Sequence, residues 1–139
     1  MKLLLLSIPA AILLISSCAS KYDVARDLYR EGPSKAPQII ALLQDHIESH
    51  PKDDNAYRLL GITQFGTSRN VHALESFNKA IELQKEKGEV SPNILMLKAR
   101  TLYSLERKKE CKQLLKHNWA FWQNDPELKS QYEWYWQRL

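Results

Sequence analysis

The sequence predicts an all-α domain built from paired helices. Three observations carry this. From Tyr22 onward no stretch keeps a two-residue alternation for long, while apolar residues recur three and four apart, the helical spacing. Gly32, Pro33, Pro51, Gly66, Gly88 and Pro92 fall between these periodic stretches. Small and large apolar residues also repeat at an interval of a few tens of residues, the mark of stacked hairpins. With 139 residues the chain is too short for a multidomain enzyme, and two cysteines cannot build a disulfide scaffold. Only four glycines argue against a glycine-rich phosphate loop.

Seven helices are expected in order, at about 21–31, 36–49, 54–65, 69–85, 93–105, 108–123 and 126–138. Gly32-Pro33 ends the first, because proline lacks an amide hydrogen and restricts its predecessor. Pro51 ends the second. Gly66-Thr67-Ser68 separates the third from the fourth, with Ser68 or Asn70 as the expected N-cap. Gly88 and Ser91-Pro92 isolate the fifth. Asp125-Pro126-Glu127 combines a cap, a first-turn proline and an acid near the positive end of the helix dipole. In the last helix Leu128, Tyr132, Tyr135 and Leu139 form one apolar stripe, as a closing element requires.

Tyr57-x2-Leu60-Gly61-x2-Gln64 followed by Ala73-x3-Phe77-x2-Ala80 resembles the tetratricopeptide repeat, a helix pair of 34 residues. Gly61 and Ala73 are small where two helices cross closely, and Leu60 and Phe77 fill the space between them. Gln64 departs from the family's tyrosine. Thirty-four residues before Gly61 stands Asp27, a poor match, although Leu43 answers to Phe77. After Gly61 the count is 38, reaching Ala99, so four residues are inserted around Gly88 to Pro92. Leu102, Cys111 and Leu115 then take the equivalent places. The resemblance implies a right-handed helical-hairpin solenoid of about three repeats, at about 21–53, 54–87 and 92–123, closed by a capping helix at 126–138.

The N-terminus reads as an address. Lys2 precedes an apolar run from Leu3 to Ile15, broken only by Ser7 and Pro9 and too short to span a bilayer. Ile15-Ser16-Ser17-Cys18 resembles the lipobox of bacterial lipoproteins. That resemblance implies a signal peptide at 1–17 removed by cleavage and a mature domain at 18–139 with a covalent lipid on Cys18. Acyl chains gain about 0.8 kcal/mol per buried methylene and would hold the protein on a membrane. Ala19 and Ser20 lack the aspartate that retains enterobacterial lipoproteins in the inner membrane, so the outer membrane is expected in a diderm cell.

No catalytic constellation stands out, so an enzyme is not expected. His46 and His50 lie four apart without a third ligand, and no metal or cofactor beyond the lipid is expected. Asp53-Asp54, just ahead of a helix, reads as capping. Cys111 occupies a small-residue position and is expected to be a buried free thiol. Arg100, Arg107, Lys108, Lys109, Lys112 and Lys116 form a basic stretch: either a solvated face balanced by Glu106 and Glu110, or a contact with acidic lipid or cell-wall polymer. All four tryptophans (Trp119, Trp122, Trp134, Trp136) lie near the C-terminus. Trp119, Phe121 and Trp122 are expected to share the inner face of the sixth helix with Leu114 and Leu115, and Trp134 to lie off the seventh helix's stripe.

In tetratricopeptide proteins the first helix of each pair lines a concave groove that takes peptides. Carried over, the groove positions are Arg58, Ile62 and Phe65, then Met96, Arg100 and Tyr103. An apolar floor between two guanidinium groups suits a peptide with apolar anchors and an acidic residue. The expected partner is another envelope protein, localised or assembled at the membrane. A wall-binding regulatory subunit of an envelope enzyme and a passive structural lipoprotein are the alternatives. An exported protein would meet no nucleic acid.

Overall fold

The computed structural model describes residues 19–139; the expected signal peptide and Cys18 lie outside the described residues. The described chain is helical, with eight α-helices: α1 Lys21–Glu31, α2 Ala36–Ser49, α3 Asp54–Gly66, α4 Asn70–Glu86, α5 Pro92–Ser104, α6 Lys108–His117, α7 Trp119–Trp122 and α8 Pro126–Trp136. A single 3₁₀ turn, Pro33–Lys35, joins α1 to α2. Among the described residues no strand forms, and no helix is long and apolar enough to cross a membrane.

Helices α1 to α6 pack mainly on their neighbours in the chain, α8 returns onto α5 and α6, and the first helices of successive pairs, α1, α3 and α5, also touch in turn. Two apolar clusters result. Ala25, Ile39, Ile40 and Leu43 meet Ala56, Leu59 and Leu60 at one end. From Ala73 through Phe77, Ile94, Ala99, Cys111, Leu115 and Trp122 to Leu128 runs the other. Helix α3 belongs to both, since its Tyr57, Ile62 and Phe65 pack on the second cluster. At roughly 25 cal/mol per Å² of apolar surface removed from water, this shared helix ties the two halves together.

The interval of 38 between the second and third pairs is visible bond by bond. Ser68 and Glu106 both take positive φ, at 60° and 56°. The Arg69 amide donates to the Gln64 carbonyl at 2.8 Å, and the Arg107 amide to the Leu102 carbonyl at 2.9 Å. Thr63 Oγ1 donates back to the Leu59 carbonyl at 2.9 Å, and Thr101 Oγ1 to that of Leu97 at 2.8 Å. The first pair departs from this scheme: Asp27 is exposed and the buried small residue of α1 is Ala25.

Three helix starts are capped by side chains. Ser20 Oγ accepts from the Asp23 amide and donates to its carboxylate at 2.6 Å, so α1 begins at Lys21. Asp53 accepts from the Asn55 and Ala56 amides, and Asp125 from those of Glu127 and Leu128. The α4 start differs from expectation. Ser68 sits in the left-handed region and Asn70 is already inside the helix, so neither side chain caps it. Proline opens α5 at its first position.

The sixth helix is also corrected. Instead of one helix over 108–123 the chain breaks at Asn118, whose side-chain amide donates to the Leu114 carbonyl at 2.9 Å. An asparagine that binds its own helix's backbone competes with helix continuation. The break turns α7 aside, so Trp122 is fully buried while Trp119 is 37% and Phe121 48% exposed.

Candidate interaction surfaces

The expected concave positions fall at matching places on α3 and α5. Their surroundings differ because α8 returns over α5. Arg58, Ile62 and Phe65 are half-buried, and Ile62 lines a cavity of about 260 Å³ with Tyr29, Pro33, Ile39 and Thr63. Met96, by contrast, is only 2% exposed: it lies in the core, beside Leu128 of α8. Tyr103 meets the rings of Trp134 and Tyr135 edge-on, with centroids 5.8 and 5.2 Å away. Arg100 stays at the boundary, its guanidinium 5.5 Å from the centroid of Phe65. Burial raises the Tyr135 phenol above its ordinary range, and the nearby Arg100 charge offsets part of that rise. The open part of this face is therefore Arg58, Ile62, Phe65 and Arg100.

A second surface lies between α6 and α8. Lys109, Lys112 and Lys116 stand on one face of α6, three and four residues apart. Opposite them Tyr132 and Trp136 of α8 lie nearly parallel, 14° apart with centroids at 5.5 Å. Trp119 of α7 closes the end, 4.7 Å from Tyr132. These six and Gln113 line a cleft of about 660 Å³. The Lys112 ammonium lies 5.2 Å from the Trp136 ring, a cation–π distance. Among the described residues none of the three lysines has a carboxylate within 4.0 Å. Arg107 and Lys108 engage Glu110 and Glu106 instead. Along the sequence the basic stretch and the tryptophans are separate features; the reversal from Asn118 to Asp125 makes them one surface.

The remaining polar groups do structural work. His46 Nε2 lies 2.9 Å from Asp53 Oδ2, which ties the end of α2 to the carboxylate that caps α3. His50 stacks on His46 at 4.3 Å. Among the described residues no group of three His, Cys, Asp or Glu side chains converges as a metal site would need. Gln64 accepts a hydrogen bond from Ser76 Oγ at 2.7 Å inside the α3–α4 contact, so its carbonyl oxygen is satisfied although buried. Cys111 is buried, its thiol donates to the Ala99 carbonyl at 3.3 Å, and desolvation pushes its pKa up to about 11. Such a thiol is a packing group rather than a nucleophile.

Compared with models of known protein families and with curated protein sequences, the chain matches none.

Proposed function

We propose that this is a lipid-anchored tetratricopeptide-type module that holds a segment of another envelope protein at the membrane and has no catalytic step of its own. In this reading Cys18 carries the lipid, and the outer membrane is its site in a diderm cell. The observation that carries the partner-binding part is the cavity beside Ile62, walled on its other side by Pro33 and Ile39. It has room for one apolar side chain of a peptide. On the same face Arg58, one turn before Ile62 on α3, and Arg100, beside Phe65, carry guanidinium groups suited to carboxylates. Met96 drops out of the binding surface because it is buried, and Tyr103 is partly covered by the rings of Trp134 and Tyr135.

Site-specific photocrosslinking in cells tests this. A photoreactive residue at position 58 or 62 should capture the same partner, and one at the exposed Glu75 of α4 should not. Replacing Cys18 by alanine should shift that partner out of the membrane fraction. Equal capture from all three positions would overturn the concave seat; a partner that stays at the membrane without Cys18 would overturn the anchoring role.

A further inference from the structure

The α6–α8 cleft has the makings of a ligand site separate from the concave face. Its two walls differ in kind. One carries three ammonium groups that the protein leaves without acidic partners, spaced about 4.5 and 6 Å along the helix axis. The other is a continuous row of three aromatic rings, Trp119, Tyr132 and Trp136.

The donor chemistry narrows the ligand. Lysine ammonium groups hold anionic oxygens as compact point charges, and a phosphate, with several oxygens open in different directions, can engage more than one of them. Every cation lining the cleft is a lysine, and the nearby Arg107 is engaged with Glu110 at 2.7 Å. Both walls are helix flanks, whose backbone groups are spent on their own helices. Whatever binds here is held by side chains rather than by main-chain partners. A sugar chain needs none, since its C–H faces stack on rings while its hydroxyls and charged substituents face water and the lysines. The aromatic row also lies within a concavity, which suits a discrete chain better than a flat bilayer surface.

We infer that the cleft between α6 and α8 binds a phosphate-bearing glycan chain, with Lys109, Lys112 and Lys116 on its phosphates and Trp119, Tyr132 and Trp136 against its sugar rings. This site is independent of whether the concave face takes a partner.

The test uses the full-length chain in neutral detergent and four probes: phosphorylated dextran, unmodified dextran of the same length, poly-glutamate and phosphatidylglycerol vesicles. Phosphorylated dextran should bind, and weaken as ionic strength rises toward the physiological range. The Lys112→Gln/Lys116→Gln variant, which alters only exposed side chains, should lose at least about tenfold in affinity. Trp119→Ala should lose about as much while keeping the wild-type salt dependence. A Lys79→Gln control on α4 should bind like wild type. Poly-glutamate binding as tightly as phosphorylated dextran would overturn the glycan assignment, as would binding of vesicles alone. Absence of binding, or variants that bind like wild type, would remove the site.

Discussion

Gly61 lies directly beneath the ring of Phe77: a Cβ built on Gly61 would stand 2.7 Å from Cε1 and 2.8 Å from Cδ1. No carbon approaches another that closely, and the ring is fully buried among residues that leave it nowhere to go. This contact is what sets the spacing of α3 and α4. Gly61→Ala gains up to about 1 kcal/mol of helix propensity. Overpacking costs about 1–3 kcal/mol, so the variant should be less stable by about 1–2 kcal/mol in urea unfolding followed by circular dichroism. Phe77→Leu should be destabilising alone but less so on the Gly61→Ala background. Simple additivity in that double-mutant cycle would show that the ring does not set the approach.

The paired turns at Ser68 and Glu106 give a prediction of opposite sign. Both residues occupy the left-handed region, where a Cβ crowds the following carbonyl at a cost of about 1–2 kcal/mol. Glycine avoids that crowding but loses more chain entropy on folding. Ser68→Gly and Glu106→Gly should therefore each stabilise the fold modestly, by about 0.5–1 kcal/mol. Ser76→Gly, in the interior of α4 and hydrogen-bonded to Gln64, should destabilise it. Urea midpoints for the three variants check the signs, and a loss of stability at both turns would refute the strain argument.

These turns also show what the sequence makes legible. Gly61, Phe77, Ala99 and Leu115 announce close crossings and fillers through size alone, and the offset of 38 follows from aligning them. Asp125-Pro126 likewise announces α8, because caps act within a single turn. The break at Asn118 carries a weaker signal: an asparagine inside an apolar and basic stretch, with neither glycine nor proline beside it. What local pattern does not hold is the fate of Met96 and Tyr103. Their positions on α5 follow from the repeat, but the burial of Met96 and the partial cover over Tyr103 depend on α8, some thirty residues onward, folding back across them. The α6–α8 cleft was hidden for the same reason. Lys109, Lys112 and Lys116 share a face at helical spacing, yet nothing near them in sequence says that Tyr132 and Trp136 will stand opposite.

Asp54 supplies the pH dependence. Burial raises its carboxyl pKa, but hydrogen bonds from Lys87 and from Gln84 at 2.9 Å outweigh that effect and hold it below the ordinary value. Gln84 in turn accepts from the Ser91 amide at 2.9 Å, so the network spans the start of α3, the end of α4 and the inserted loop. With a folded pKa below the unfolded one, the carboxylate stabilises the fold above the unfolded value of about 3.9. That contribution disappears as pH falls through the folded pKa. Asp54→Asn should be less stable than wild type at pH 7, by about 1–2 kcal/mol. The gap should narrow below about pH 4. Urea titrations at the two pH values measure it, and a gap that persists in acid would mean that the loss is packing rather than charge.

Trp122 is the link by which α8 is held. It is fully buried in the cluster that also holds Leu115 and Leu128, and its ring lies 5.9 Å from that of Tyr132. Trp134 contrasts with it: 45% exposed, it meets Tyr103 edge-on and carries Arg138 over its face at 3.9 Å. Trp122→Ala should cost about 3–5 kcal/mol, since a large cavity opens where the neighbours cannot close it. Trp134→Ala should cost about 1 kcal/mol or less, because what it loses is a surface cation–π contact and part of an aromatic edge. Hydrogen exchange separates local from global effects. In Trp122→Ala the amides of α8 should lose protection first while those of α3 and α4 keep theirs, because α3 and α4 are held by Gly61, Phe77 and the Asp54 network. Uniform loss across all helices would mean that α8 is part of one cooperative unit with α3 and α4. Selective loss would mean that the cover over Met96 and Tyr103 opens on its own, with the α6–α8 cleft dissolving at the same time.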